Sequence, residues 1–165
     1  MAKISRFQIR IKRPGKKYLF LDIDGVLNSF SDYNMTGEKF LENINDLCFI
    51  VSGKQINLLN QIVEKYNPEI VLSSYWRKRY PLSEINEIFQ KNGFKGTIIA
   101  KTDQTGEEHE DRWAQIKRFV DKNNVKSYII LDDDSLGNEA INHIRTDPYV
   151  GIEKKHLYSI ERIWK

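Results

Sequence analysis

The sequence predicts an α/β fold with a central parallel sheet, and three observations predict it. Short apolar runs alternate with helical patterns of roughly 10–15 residues, the signature of βαβ units with right-handed crossovers. The runs Tyr18–Leu21, Glu69–Leu72 and Ser127–Leu131 show little polar alternation, as expected of strands covered on both faces. Each run ends in polar groups: Asp22 and Asp24, Ser73 and Ser74, and Asp132, Asp133 and Asp134. Ligands of such sheets bind at the carboxyl ends of the strands, where these residues fall.

The elements follow in order. Tyr18–Leu21 is the first strand, closed by Asp22-Ile-Asp24-Gly25. On a regular strand, residues two apart share a face, whereas a turn starting at Asp24-Gly25 spreads the carboxylates around one point. Residues 29–51 have mixed polarity and no clean period, which reads as a loop with a short helical piece. Ser52-Gly-Lys-Gln55 matches a capping box, and the helix it opens carries Ile56, Leu59, Val63 and Tyr66 until Asn67-Pro68 stops it. Glu69–Ser74 is the second strand. A helix over 82–91 closes at Asn92-Gly93, and Thr97–Ala100 is the third strand. After a polar loop over 101–110, a helix from Glu110 to Asn123 is expected to bury Trp113, Ile116, Phe119 and Val120. Ser127–Leu131 is the fourth strand, 138–146 fits no single period, and Glu153–Trp164 reads as a terminal helix.

At 165 residues the chain is most simply one domain over 18–165 behind a basic segment over 1–17. That segment holds seven Lys/Arg and no acid, while the remaining 19 basic and 23 acidic residues leave the body at −4. Two readings of it stay open. A basic arm seeks phosphate backbones, or Phe7, Ile9 and Ile11 alternate as an edge strand. The single cysteine, Cys48, excludes an intramolecular disulfide and any multi-cysteine zinc site. No apolar run approaches a membrane span and no stretch resembles a signal peptide, so a cytoplasmic location and no membrane partner are expected. His109, His143 and His156 share no ligand spacing and read as solvated or internally satisfied.

Carboxylates gathered at one sheet edge are costly unless a cation or a proton lies among them. Their hard oxygens suit Mg²⁺. With hydroxyls and a basic side chain beside them, such a set is equipped for phosphoryl chemistry. A carboxylate can attack phosphorus, a second can move the proton, and donors can hold the phosphoryl oxygens.

Asp22-Ile-Asp24-Gly25-Val26, the serine ending Ile70-Val-Leu-Ser73 and the acids after Tyr128-Ile-Ile-Leu131 resemble motifs I, II and IV of the haloacid dehalogenase (HAD) superfamily. More narrowly, Asp24-Gly-Val-Leu-Asn28, Ser73-Ser-Tyr-Trp-Arg77, Leu131-Asp-Asp-Asp134 and Thr146-Asp-Pro148…Gly151 are similar to small phosphatase domains associated with RNA-repair proteins. The likeness extends from residue 18 to about residue 160. It implies a Rossmann-like three-layer fold and a Mg²⁺-dependent phosphohydrolase acting on a phosphomonoester through an aspartyl-phosphate. Asp22 would be nucleophile and metal ligand. Asp24 would be general acid/base and would lend its backbone carbonyl to the metal. Ser73 would grip the phosphoryl group, with Asp133 as second metal ligand and Asp132 beside it.

The superfamily's basic residue has two candidates here. Arg112 and Lys117 are five apart, about 140° around a helix, so they cannot both face the site. Arg112 lies in the turn nearest the strands' carboxyl ends and is preferred. The segments where larger relatives insert a cap are roughly 24 and 10 residues, too short to fold as one, so a minimal or absent cap is expected. An open site admits a large phosphorylated substrate such as a nucleic-acid end. Tyr75-Trp76-Arg77 either offers a stacking surface for it or contributes Trp76 to the core. Two rivals remain beside the enzyme: a catalytically inactive binding module, and a phosphoacceptor signalling domain, whose usual motif order differs from this one.

Deleting residues 1–14 tests the basic arm. The expected outcome is a raised KM for a phosphate-terminated oligonucleotide at low salt, a loss that shrinks as salt rises, and nearly unchanged turnover of an aryl phosphate. A lowered Tm with damage to both activities would identify an edge strand instead.

Overall fold

Alternation inside each apolar run sorts its side chains to two faces, and that sorting builds the molecule. The computed structural model describes residues 15–29, 31, 51–102 and 111–165. The expected arm over 1–14 with Phe7, Ile9 and Ile11, most of the 29–51 segment with Cys48, and His109 lie outside the described residues. Among the described residues five strands form one parallel sheet: β1 (Lys17–Leu21), β2 (Glu69–Leu72), β3 (Ile98–Lys101), β4 (Ser127–Asp132) and β5 (His143–Arg145). Their order is β3-β2-β1-β4-β5. The chain winds outward from β1 to β3, returns to the other side of β1 as β4, and ends on β5. The point where the winding reverses is the β1/β4 seam.

Leu19, Leu21, Ile70, Leu72, Ile129 and Leu131 face one side. They pack there against α1 (Gly53–Tyr66), the short α2 (Trp76–Arg79), α3 (Leu82–Lys91) and α5 (Lys154–Ile163). Phe20, Val71 and Ile130 face the other side, against α4 (Arg112–Lys122). On α4 only Ile116 of the expected stripe is fully buried, while Trp113, Phe119 and Val120 are half-buried along the rim of this smaller core. Phe119 meets Phe20 edge-on with centroids 5.5 Å apart. The three-layer α/β architecture expected from the sequence is the one observed.

Several local expectations change. The stretch over 138–146 contains β5, which the sequence pattern left undecided because three residues are too few to show a period. Lys17 belongs to the sheet: it pairs with Ser127, and its ammonium donates to the Trp164 carbonyl at 2.9 Å. The capping box expected at Ser52 does not form. Ser52 makes no side-chain cap, its N–H being held by the Leu27 carbonyl at 2.9 Å, and Gln55 donates to the Val150 carbonyl instead. Tertiary anchoring of the helix start onto the first loop takes the place of local capping. His143 and His156 are satisfied internally, as expected: His143 Nε2 lies 3.2 Å from the Asp132 carbonyl, and His156 Nδ1 accepts the Glu153 N–H at 2.9 Å.

The segment after β5 returns to the first loop. Gly151 takes φ +76°, and a Cβ there would stand 2.7 Å from the Val26 carbonyl oxygen. The next residue, Ile152, donates its N–H to that same oxygen at 2.8 Å. Gly151→Ala therefore combines left-handed strain with a clash against backbone. It is expected to cost about 2 kcal/mol, or roughly 4–8 °C in Tm by thermal unfolding. Gly53→Ala, with open space around it, is the control and should not lower Tm.

Candidate active site

The sheet ladder runs one step past the strands and fixes the site backbone. The Asp22 N–H donates to the Leu131 carbonyl at 3.0 Å, and the Ser73 N–H donates to the Leu21 carbonyl at 3.0 Å. Asp22, Ser73 and Asp132 are thereby set side by side at the carboxyl edge, straddling β1. All three are buried.

Asp22, Asp132 and Asp133 bring carboxylate oxygens within 4.8 Å of one another. Arg112, the first residue of α4, reaches into the same space. Its Nη1 donates to Asp22 Oδ2 at 2.9 Å and to Asp132 Oδ2 at 2.7 Å. Asp111 fixes that helix start by accepting the N–H groups of Trp113 and Ala114, at 3.4 and 3.3 Å. The alternative cation, Lys117, points away and pairs with Asp121 on the same helix at 2.6 Å. The Asp22 carboxylate is held from two sides, since its Oδ1 also accepts the Ile23 N–H at 2.8 Å.

The turn at Asp24-Gly25 separates the two acids of the first motif. Asp24 turns its carboxylate out of the Asp22 cluster, where Oδ1 accepts Asn28 Nδ2 at 2.9 Å and Oδ2 accepts Trp76 Nε1 at 3.0 Å. Asn28 closes the turn by accepting the Gly25 N–H at 2.9 Å, and Thr146 Oγ1 donates to the Gly25 carbonyl at 2.7 Å. Gly25 takes φ +71°, and a Cβ there would stand 2.5 Å from Asp133 Cγ. Only glycine lets Asp133 lie this close to the loop.

The serine loop decides between the two readings of Tyr75-Trp76-Arg77: Trp76 belongs to the core, Arg77 is buried as well, and only Tyr75 of the three is exposed. Arg77 Nη1 donates to the Ser73 and Ser74 carbonyls at 2.9 and 2.8 Å, and its Nη2 donates to Gln115 Oε1. It clamps the serine loop to α4. Sequence reasoning missed this clamp and the Trp76–Asp24 bond, because neither has a local spacing that would reveal it. The Ser74 hydroxyl hydrogen-bonds Asp22, whereas Ser73 Oγ is buried and has no partner among the described residues. A buried hydroxyl without a partner marks a position where a ligand oxygen fits.

Electrostatics at the cluster follow from burial. Burial pushes the Asp22 carboxyl up, against the pull of Arg112 and the Ser74 and Ile23 hydrogen bonds. Burial and the neighbouring Asp22 charge raise Asp132 to about 7 and Asp133 to about 6. For Arg112, burial disfavours the charge, but Asp22 and Asp132 outweigh it and the guanidinium stays protonated. One cation thus serves three crowded acids. A hard-oxygen donor set, a glycine cradle beneath Asp133 and the orphaned Ser73 hydroxyl together fit a Mg²⁺ ion with a phosphoryl group.

An open parallel α/β sheet with its acids at the reversal of winding defines a Rossmann-like fold of the HAD type. Residues 18–157 of the 165 match the family described as the HAD domain in Swiss Army Knife RNA repair proteins, and the chain belongs to that family. At family level this supports a phosphatase of the HAD type. No curated protein and no solved structure matches the chain. Among the described residues no helix is long and apolar enough to cross a membrane.

Raised carboxyl values have a stability consequence. The folded state holds Asp132 and Asp133 protonated to about pH 7 and 6, whereas their ordinary value is 3.8. It therefore binds more protons than the unfolded chain in that window, and their contribution to stability falls as pH rises from about 4 to about 7. In EDTA, Asp133→Asn should flatten the decline of Tm across this range, and Mg²⁺ should raise the wild-type Tm more near pH 7 than near pH 5. An identical pH slope in wild type and Asp133→Asn would contradict the cluster's electrostatics.

Proposed function

We propose that this domain is a Mg²⁺-dependent phosphomonoesterase acting at a phosphorylated RNA end through an aspartyl-phosphate. The observation that carries the reading is the convergence of Asp22, Asp132 and Asp133 within 4.8 Å, with Arg112 on two of them. The family description supplies the RNA-repair context.

Asp22, Asp132 and Asp133, with the Asp24 backbone carbonyl, would hold Mg²⁺. The bound ion would offset the charge of the carboxylates and of the phosphoryl oxygens. Asp22, fixed by Ile23 N–H and Arg112, attacks phosphorus as the bond to the ester oxygen breaks. Arg112 and the Ser73 hydroxyl, which has no partner among the described residues, hold the non-bridging oxygens. The Asp24 carboxyl gives its proton to the leaving oxygen. It then takes a proton from the water that attacks phosphorus and releases Asp22. For this, Asp24 must leave Trp76 and Asn28, so those two bonds define a resting position for the acid/base. Segments of roughly 24 and 10 residues at the two cap positions, too short to fold as a cap, favour a macromolecular end as substrate over an enclosed small ester.

Phosphate release from p-nitrophenyl phosphate tests the reading. Wild type should require Mg²⁺, and Asp22→Asn should lose roughly 10³-fold or more in kcat while unfolding no earlier than wild type in EDTA, because it relieves charge crowding. Substantial steady-state turnover by clean Asp22→Asn would remove Asp22 as nucleophile.

A further inference from the structure

Beside β5, at the edge of the sheet, lies a groove of about 660 Å³ that none of the chemistry above uses. Its wall on one side is β5, with His143 and Arg145, and on the other α5, with Lys155, His156, Ser159 and Arg162. Among the described residues, every ionisable side chain lining it is basic or an imidazole, and none is acidic. Lys155, Ser159 and Arg162 stand at i, i+4 and i+7, so they form one stripe along α5, about 10.5 Å from end to end. The opposite face of α5 carries Ile160, buried in the core. Lys155 shares its ammonium with the Glu153 carboxylate, while Arg162 is exposed without a partner among the described residues.

The groove joins the carboxylate cluster through backbone. Arg145 Nε donates to the Asp133 carbonyl at 2.8 Å, which leaves its two terminal amino groups without a protein partner among the described residues. His143 Nε2 contacts the Asp132 carbonyl. The upper end of the groove is therefore built onto the two acids that close the site, and α5 runs from there down the edge of the sheet. A stripe of donors leading away from a phosphate-handling centre suits a ligand with repeating anionic groups.

We infer that the β5–α5 groove binds the sugar-phosphate backbone of a single-stranded RNA segment whose end occupies the Asp22 centre. Phosphates along the segment would meet Arg145, Lys155 and Arg162, with Ser159 as a neutral donor between the last two. This rests on the phosphomonoesterase reading for what lies at the strand's end, but backbone binding can be measured without it.

The test is fluorescence anisotropy with a fluorescein-labelled single-stranded oligoribonucleotide lacking a terminal phosphate, together with p-nitrophenyl phosphate turnover. The double variant Lys155→Glu/Arg162→Glu should weaken oligoribonucleotide binding at low salt by about tenfold or more. It should also reduce the slope of log affinity on log salt by about two. Its aryl-phosphate turnover and Tm should match wild type. Lys91→Glu/Lys122→Glu makes the same charge change on α3 and α4 and should leave binding within about twofold. The neutral double variant Lys155→Gln/Arg162→Gln should fall between wild type and the reversed pair, and it replaces that pair if the reversal unfolds the protein. Unchanged binding by the groove variants, or an equal loss in the α3/α4 control, overturns the groove. Absence of aryl-phosphate turnover in every protein overturns the phosphatase reading alone, with the anisotropy result still deciding the groove.

Discussion

Arg112 sits between Asp22 and Asp132 across the β1/β4 seam, and the arrangement of the carboxyl edge depends on it. Two carboxylates nearly removed from water, with Asp133 a third beside them, repel one another and lose hydration. One terminal nitrogen of Arg112, Nη1, donates to both Asp22 and Asp132, so a single charge offsets the two at once. Its placement at the first turn of α4 is in turn fixed by the Asp111 cap. Charge compensation thus links a helix start to the ends of the two central strands.

The second requirement is a pinned loop after β1 and after β2. Gly25 lets Asp133 approach, Asn28 and Thr146 pin the turn, and Gly151 brings a distant segment onto the Val26 carbonyl. On the serine side Arg77 does the equivalent, spending a buried cation on two carbonyls and Gln115. Burial and the nearby Arg112 charge both lower its pKa, so its hydrogen bonds must hold the charged form in place. Scaffolding of this kind lets a site built on loops behave as though it were built on strands. Trp76 adds a specific restraint by holding Asp24 out of the cluster while filling core volume. One side chain is therefore both packing and positioning.

The contrast between the two basic candidates shows why position along a helix matters more than residue type. Arg112 and Lys117 are on the same element, yet one is at the carboxyl edge of the sheet and the other pairs with Asp121 at the surface. The direction of a βαβ crossover decides this, because the helix must begin where the preceding strand ends. The β5–α5 edge obeys the same rule, since α5 also starts at the carboxyl side and descends.

The sequence by itself determined four of the five described strands, their parallel arrangement and the polar residues at the ends of β1, β2 and β4. Apolar runs of strand length, helical periodicity and abrupt polar endings are local signals, and each is set by burial of a short segment. It also determined that Arg112, at a helix start, and Asp22 and Asp132, at strand ends, belong to one edge, since crossover handedness converts chain order into position. Only the tertiary structure decided what β5 is, because three residues carry no period. Only it turned Trp76 and Arg77 inward, because their partners are Asp24 and Gln115, 52 and 38 residues away. Ser52 and Gln55 failed to cap their helix for the same reason: the loop ends at Leu27 and Val150 offered the backbone partners that the local motif would have supplied. Local patterns fix which segments are buried, but hydrogen-bond partners are chosen by whatever folding brings alongside.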